Sequence, residues 1–309
     1  MLAFAAHAFD LQAHRGGRGL APENTLAAFE RAMDIGVTTL ELDVAVTADG
    51  VPVISHDIAL NPSHTRDGSG AWLNGTGPLV RSLTLAQLQA YDVGRLNPAT
   101  DYGEQFATQQ PQDGERIPTL AALFALVKAR GATDIRFNIE TKLDPARPDD
   151  TVAPEAMVRA ILAEVDKAGM ASRVTVQSFD WRSLALAGQL APQISRAYLT
   201  SPRTLKDARW TARVDAAAMA VSTPRFVALM ARESRAPVIW SPAFAELTAA
   251  DVLDAHAAGL QVVPWTVNRR PDMARLIDMR VDGLITDYPD VLRELMRERG
   301  MPLPRALKN

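Results

Sequence analysis

Three carboxylates stand where short apolar runs of the sequence end. Glu41 and Asp43 lie two residues apart within the run 39–44, so both side chains point to the same face of a strand. Glu140 ends a later apolar run. Three converging carboxylates cannot all stay ionised without compensation, and Mg²⁺ or Ca²⁺ suits a set of oxygen ligands. We therefore predict a site for one divalent cation here, although Glu-x-Asp alone is more often part of a surface salt bridge.

Two histidines and two cations accompany these carboxylates. His14 and His56 each follow an apolar run, and imidazole can donate or accept a proton near neutral pH. Arg15 and Lys142 add positive charge, which suits the oxygens of a phosphate ester. A cation, an arginine and a lysine together predict phosphate-ester chemistry. The other histidines carry no comparable signal: His7, His64 and His256.

The elements that position these residues alternate regularly. Apolar runs and amphipathic helical patterns follow one another along most of the 309 residues, which is typical of βαβ units and a parallel sheet. Eight runs favour a closed (β/α)8 TIM barrel over an open sheet, and barrel enzymes carry their active sites at the carboxyl ends of the strands. The predicted strands are 11–14, 39–44, 135–140, 174–177, 194–199, 217–221, 261–266 and 283–286. The predicted helices are 24–35, 120–129, 154–168, 182–190, 224–235, 249–258 and 271–278.

One segment, 57–118, interrupts this alternation. It is rich in Gly, Pro, Asn and Asp, and structureless loops longer than about 15 residues are uncommon in compact domains. Leu83, Leu85, Leu88 and Tyr91 have near-helical spacing within it. We predict a small subdomain inserted after the second strand, which caps the barrel mouth.

Composition excludes several classes of protein. Lys and Arg number 33 against 36 Asp and Glu, so the net charge is −3, which argues against a nucleic-acid binder. The chain has no cysteine, which excludes disulfides, thiolate metal sites and cysteine nucleophiles.

No stretch approaches the roughly 20 apolar residues that span a bilayer, so we predict no stable membrane insertion. Residues 1–9 resemble either the end of a signal peptide or a frayed terminus, so the compartment stays open between cytoplasm and periplasm, as does the oligomeric state.

Seven short motifs follow one another in a characteristic order. They are His14-Arg15-Gly16, Pro22-Glu23-Asn24-Thr25, Glu41-Leu42-Asp43, Thr47-Ala48-Asp49-Gly50, His56-Asp57, Glu140-Thr141-Lys142 and Trp265-Thr266-Val267-Asn268. Their order and spacing resemble the glycerophosphodiester phosphodiesterase family. The resemblance extends from residue 11 to about 292. It implies one TIM-barrel catalytic domain over 1–309, with its core at about 11–292 and a small insertion after the second strand.

The resemblance also implies roles for the residues already singled out. Glu41, Asp43 and Glu140 match the metal ligands of the family, which binds one divalent cation. His14 and His56 match its general acid–base pair. One of these histidines would activate the nucleophile, and the other would protonate the leaving alkoxide. The nucleophile is either water or the glycerol 2-hydroxyl, and both alternatives stay open.

Four further residues receive substrate-binding roles from the same resemblance. Arg15 and Lys142 match phosphate-contacting cations, while Gln177 and Trp265 line the pocket in similar enzymes, with Trp265 as a wall for the glycerol moiety. Asn24 is a good helix N-cap, and a role in supporting the active site is an equal alternative.

The activity implied is hydrolysis of a glycerophosphodiester, such as glycerophosphocholine or glycerophosphoethanolamine, to sn-glycerol 3-phosphate and an alcohol. Two alternatives accompany this prediction. A phospholipase-type diesterase would need an exposed apolar loop, and the insertion gives a weak signal for one in Trp72, Leu73, Leu79 and Val80. A catalytically inactive barrel could instead serve as a binding protein, because fold does not determine function.

Overall fold

The computed structural model describes residues 9–307, in which strands and helices alternate. The strands are β1 (Asp10–Ala13), β2 (Thr39–Val46), β3 (Pro52–Ile54), β4 (Arg136–Thr141), β5 (Val174–Ser178), β6 (Ser195–Thr200), β7 (Val238–Pro242), β8 (Gln261–Val262) and β9 (Gly283–Thr286). The helices are α1 (Leu26–Ile35), α2 (Leu85–Leu88), α3 (Asp101–Gln105), α4 (Leu120–Ala129), α5 (Pro154–Ala168), α6 (Trp181–Leu190), α7 (Pro202–Leu205), α8 (Thr223–Met230), α9 (Ala249–Ala257), α10 (Arg270–Asp278) and α11 (Pro289–Glu298).

Eight of these strands form a parallel barrel in the order β8-β7-β6-β5-β4-β2-β1-β9. Backbone hydrogen bonds join the two edges, since Asp282 N donates to Val262 O at 2.8 Å and Ile285 N donates to Pro264 O at 3.1 Å. β3 pairs with β2 in antiparallel fashion outside this path. The predicted TIM barrel is therefore confirmed. Its first and last strands are neighbours, so the two halves of the chain meet beside β1.

The barrel interior has an apolar side and a polar side. The apolar side consists of Ala197, Ile239, Val263 and Ile285. On the polar side, Asn138 Nδ2 donates to Gln12 Oε1 at 2.8 Å and to Gln177 Oε1 at 2.9 Å. All three amides are buried, and these hydrogen bonds link them into one network. Strands β1, β2, β4 and β5 thus carry the polar groups toward the carboxyl ends of the barrel.

The predicted strand at 217–221 is wrong. These residues are exposed and form turns, with Ala220 at a φ of 50° and Asp215 Oδ1 accepting from Ala217 N at 2.9 Å. The sixth barrel strand is β7 instead, which pairs with β6 and β8. β7 begins directly after Pro237 and ends at Pro242, and proline is tolerated at such strand boundaries.

Residues 57–118 pack as a small layer against β2 and β3. A separate apolar cluster holds this layer together: Ala45, Val53, Leu60, Val80, Leu88, Val93 and Ile117. Leu88, from the near-helical leucine pattern, is fully buried at the end of α2. The layer also reaches the loop after β1, where Gln109 Nε2 donates to Arg18 O at 2.7 Å. The insertion therefore lies beside the loop that follows the first strand.

Within residues 9–307, no helix combines the length and the apolar character needed to cross a membrane. The signal-peptide-like pattern predicted at 1–9 lies outside the described residues, apart from Phe9, which packs against the main core.

Candidate active site

The predicted site residues meet at the carboxyl ends of the barrel strands. They surround a cavity of about 150 Å³. Eight of the nine predicted residues line it: His14, Arg15, Glu41, His56, Glu140, Lys142, Gln177 and Trp265. The ninth, Asp43, is buried and lies opposite Glu140 in the pairing of β2 with β4. Residues that are distant in sequence thus share one cavity because the barrel aligns their strand ends.

The three carboxylates form a compact and nearly inaccessible cluster. Glu41, Asp43 and Glu140 are 2, 1 and 8% exposed, and each offers one oxygen within 4.8 Å of the others. Burial, then the Asp43 charge, raises the pKa of Glu41 well above its ordinary value. Burial also raises the pKa of Glu140 to about 7, against the opposing charge of Lys142. Burial would raise the pKa of Asp43 too, but nearby cations, led by Lys142, hold it well below its usual range.

This cluster has the donor set of a cation site. Its ligand atoms are all carboxylate oxygens, which hard divalent cations prefer. Asp43 Oδ1 is buried and accepts no hydrogen bond from any residue in the described range, and Lys142 Nζ lies 3.4 Å away. A bound divalent cation would satisfy that oxygen and relieve the repulsion that raises the pKa of Glu41. The residues present therefore fit such a cation.

His14 is held by a carboxylate that the sequence analysis missed. Its Nδ1 lies 2.6 Å from Oδ1 of Asp287, which follows β9 and is fully buried. Asp287 also accepts from Arg18 Nε at 2.8 Å and from Asn268 Nδ2 at 2.6 Å. Burial lowers the pKa of His14 to about 4, although the Asp287 charge opposes that shift. With Nδ1 bound to Asp287, Nε2 is the nitrogen available to a ligand.

His56 has a matching arrangement in the same cavity. Its Nδ1 lies 2.9 Å from Oδ1 of the neighbouring Asp57, whose other oxygen accepts from Asn61 Nδ2 at 2.7 Å. Burial, then the charges of Lys142 and Arg15, lowers the pKa of His56. Both histidines are thus fixed through Nδ1 by a carboxylate. Two such pairs in one cavity can move protons at their Nε2 atoms.

The predicted phosphate-contacting cations are both engaged with carboxylates. Arg15 Nη1 donates to Glu23 Oε1 at 2.8 Å, and Arg15 Nε lies 3.3 Å from Asp43. Lys142 Nζ donates to Glu140 Oε1 at 2.8 Å. Arg15 adopts a φ of 51°, and its backbone N donates to Glu41 Oε2 at 2.9 Å. The loop after β1 therefore ties the cations to the acidic cluster.

The N-cap prediction at Asn24 is wrong. The capping residue of α1 is Thr25, whose side chain accepts from Ala28 N at 3.2 Å. Asn24 has a φ of 57°, and its Nδ2 donates to Asp43 Oδ2 at 3.0 Å. The alternative that Asn24 supports the acidic cluster agrees with this geometry.

Gln177 and Trp265 occupy different parts of the cavity wall. Gln177 Nε2 donates to Glu41 Oε1 at 2.5 Å, which fixes that carboxylate. Trp265 Nε1 donates to Ser241 O at 2.9 Å, and its ring meets Phe179 edge-on at 5.3 Å. Phe179, Leu199 and Trp265 give the cavity an apolar side facing the charged one. Such a cavity suits a small molecule with one anionic and one carbon-rich part.

The residues that sequence reasoning missed follow from the same strand-end rule. Asp287 stands directly after β9, and Phe179 directly after β5. Both positions sit at the carboxyl ends of strands, where active-site groups collect in barrels. Applying that rule to the last strand would have found Asp287.

Comparisons with known proteins identify the family of this chain. The model of the glycerophosphoryl diester phosphodiesterase family matches residues 14–291. A glycerophosphodiester phosphodiesterase of Caldanaerobacter subterraneus subsp. tengcongensis is 30% identical over 288 residues, which are 93% of this chain and 98% of the relative. A solved Silicibacter pomeroyi protein assigned to the same activity is 36% identical, with a TM-score of 0.85 over 96% of this chain and 95% of that one. The structure of an Oleispira antarctica phosphodiesterase in complex with its product sn-glycerol-3-phosphate shares the fold, with 24% identity and a TM-score of 0.66 over 93% of this chain and 96% of that one.

The barrel and these matches define a TIM-barrel hydrolase of phosphoric diesters. The chain belongs to the glycerophosphoryl diester phosphodiesterase family. The resemblance seen in the sequence motifs is confirmed.

Proposed function

We propose that this protein hydrolyses glycerophosphodiesters, such as glycerophosphocholine or glycerophosphoethanolamine, to sn-glycerol 3-phosphate and an alcohol, and that the reaction needs Mg²⁺ or Ca²⁺. One observation carries the proposal. A single cavity brings the carboxylate cluster together with two histidines, each held through Nδ1 by its own carboxylate. The apolar wall opposite the cluster supports a substrate with a short carbon skeleton beside its phosphate.

The acidic cluster would hold the cation through Glu41, Asp43 and Glu140. Gln177 and the Arg15 backbone N orient Glu41, while Asn24 and Lys142 contact the other two carboxylates. A divalent cation bound there would act as a Lewis acid on the phosphate oxygens. Supporting hydrogen bonds of this kind fix the direction of ligand oxygens.

His14 and His56 divide the proton transfers in this proposal. The histidine acting as base accepts the proton of the attacking oxygen at Nε2, whether that oxygen belongs to water or to the glycerol 2-hydroxyl. The other donates a proton from Nε2 to the leaving alkoxide. If the glycerol 2-hydroxyl attacks, the product is a cyclic phosphate that water then opens, with the two histidines exchanging roles.

Arg15 and Lys142 would contact the phosphate, and Trp265 would form a wall for the glycerol moiety. Both cations line the cavity, so their charges are available to an anionic ligand. The layer formed by residues 57–118 would cap the barrel mouth and select the alcohol. Two contacts support this capping role. The layer contacts the loop after β1, and His64 Nε2 lies 3.4 Å from Asp57 Oδ2.

The alternatives find less support. The candidate membrane-facing residues Trp72 and Leu73 are half-buried, and Trp72 packs under the Arg66 guanidinium at 5.6 Å. An intact-lipid substrate would need them exposed. An inactive binding barrel is disfavoured because both histidines line one cavity with Glu41 and Glu140, and Asp43 completes the carboxylate cluster beside it.

The test is a panel of glycerophosphodiesters incubated with the protein, with and without added Mg²⁺ or Ca²⁺. We expect release of sn-glycerol 3-phosphate that stops after exhaustive chelation and returns with the metal. The matched variant is Glu41→Gln, which keeps the side-chain shape and removes the charge. Release of the phosphate on the alcohol fragment instead, or full turnover without metal, would contradict the proposal.

A further inference from the structure

A second cavity, of about 730 Å³, lies away from the active site. It is lined by α6, the loop that leads from α6 into β6, the end of α8, and the loop that leads into β7. Those loops precede their strands, so this cavity sits at the amino ends of the strands. The active cavity sits at the carboxyl ends. The two cavities therefore occupy opposite ends of the barrel.

Arg196 of β6 lines this cavity and is only 6% exposed. Its neighbour Ala197 points into the barrel, so Arg196 points outward, between β6 and the helices. Its Nη1 donates to Leu184 O at 3.4 Å, and its buried Nε has no hydrogen-bond partner within residues 9–307. No carboxylate in that range forms an ion pair with this guanidinium.

An unpaired buried guanidinium is unusual for energetic reasons. Burial of an isolated charge is strongly unfavourable, and arginine cannot avoid this penalty by losing its proton. Within residues 9–307, no side chain supplies the negative charge that would balance Arg196. The cavity it lines is the route by which an anion could reach it.

The rest of the lining has the same sign. Arg232 and Arg235 also line the cavity, and Glu233 is its one acidic lining residue among those described. Three arginines and one glutamate leave a net charge of +2, which matches a phosphate dianion. Guanidinium groups bind phosphate oxygens through paired hydrogen bonds.

A glycine makes room for the arginine. A Cβ placed on Gly188 of α6 would lie 2.2 Å from Arg196 Nη1, so the guanidinium occupies the space that a side chain would need. Glycine inside a helix is less favourable than alanine, because its backbone loses more conformational freedom on folding. Helix α6 is therefore less stable at Gly188, the position against which the Arg196 guanidinium packs.

We propose that this cavity is an anion site, distinct from the active site, that binds a phosphate group. The group belongs either to a small phosphate ester or to the headgroup of an anionic lipid, since both present the same oxygens to Arg196. Arg196 is the central contact, and Arg232 and Arg235 complete it from the rim.

The test is calorimetric titration of the full chain with inorganic phosphate at constant ionic strength. The Lys142→Met background removes a cation of the active cavity and so reduces phosphate binding there. We expect Arg196→Met to weaken the remaining site at least tenfold, while the exposed control Arg159→Met leaves it unchanged. Hydrolysis by the Arg196→Met protein with an intact Lys142 should stay within twofold of the parent. Equal phosphate affinity with and without Arg196 would overturn the proposal.

A second variant covers the case in which Arg196→Met does not fold. Gly188→Ala keeps every charge but displaces the guanidinium, so it should also weaken phosphate binding. Sedimentation with phosphatidylglycerol vesicles, against phosphatidylcholine vesicles, separates the two sources. Sedimentation that Gly188→Ala abolishes assigns a lipid headgroup, whereas phosphate binding without sedimentation assigns a small ester. Absence of both binding modes would refute the site.

Discussion

The contact between His14 and Asp287 gives the sharpest prediction about catalysis. The two side chains meet at 2.6 Å, and Asp287 is fully buried. A buried hydrogen bond to a charged group contributes about 1.5–3 kcal/mol, which corresponds to about 10- to 150-fold in rate. Asp287→Asn removes that charge, and its amide can donate to His14 Nδ1, which moves the ring proton to Nε2. Loss of positioned proton transfer costs about 10²–10⁴-fold, so we expect kcat to fall by roughly 10²–10³.

The same substitution should change the pH profile in a definite direction. Burial lowers the pKa of His14 to about 4, and the Asp287 charge opposes part of that shift. Without that charge the pKa of His14 falls further. The limb of the rate profile that His14 controls should therefore move to lower pH. A purely structural role for Asp287 would lower the rate without moving that limb.

The assay couples released sn-glycerol 3-phosphate to a dehydrogenase and separates kcat from KM. Asp282→Asn is the matched control, because Asp282 contacts His256 at 2.9 Å on the surface away from the active cavity. The double variant His14→Gln with Asp287→Asn should lose little more than His14→Gln alone, since the two residues act as one unit. A loss below threefold for Asp287→Asn, or additive losses in the double variant, would refute the reasoning.

Four further predictions concern the cation, the histidines and the insertion. Mg²⁺ or Ca²⁺ at 100 times its Kd should add about 2.7 kcal/mol to the parent's unfolding free energy, and Glu41→Gln should abolish the matching rise in melting temperature. In chelator, Glu41→Gln should be no less stable than the parent, because repulsion with Asp43 is relieved. Glu155→Gln is the exposed control. The pKa of His14 is lowered to about 4 in the folded state, so below pH 6.5 the unfolded chain binds a proton that the folded chain does not. Between pH 7 and pH 5, urea unfolding should therefore show that the parent loses about 2 kcal/mol of unfolding free energy relative to His14→Gln. His14→Ala and His56→Ala should each lower kcat by about 10²–10⁴-fold, and a substrate with a nitrophenol leaving group should rescue only the variant that lacks the acid; equal losses on both substrates would contradict the division of roles. A folded variant shortened within 66–76 should change the ratio of rates for glycerophosphocholine and glycerophosphoethanolamine, and an unchanged ratio would deny the insertion a role in selecting the alcohol.

The sequence was most informative where polar residues interrupt apolar strands. The carboxylates of β2 and β4 were predictable because alternation fixes which side chains share a face, and the barrel then brings neighbouring strands together. The contact partners of Arg15 and Lys142 were not predictable, because they depend on the left-handed conformation of Arg15 and on side-chain reach across strands. The strand-end rule points to Asp287 as a site residue, but its pairing with His14 was not predictable, since the two lie 273 residues apart.

The error in the sixth barrel strand has a local cause. Residues 217–221 combine alanines with Met219 and Val221, which reads as an apolar run, yet they are exposed on turns. β7 follows Pro237 and ends at Pro242. Both prolines lie at boundaries where a strand tolerates them, but they weaken the sequence signal for a strand. Burial against β6 and β8 decides between the two segments, and that information is not local.

The pairing of β1 with β9 ties catalytic competence to the completion of the chain. His14 emerges early in synthesis, but the carboxylate that fixes its imidazole comes from the far end of the polypeptide. A contact of such high sequence separation forms late, because the entropy of closing the loop must be overcome first. Partly folded chains that already hold the acidic cluster, which needs only β2 and β4, would therefore bind a cation while His14 is still unfixed. In the proposed mechanism, a chain without β9 would keep the residues of the carboxylate cluster but lack the carboxylate that fixes His14.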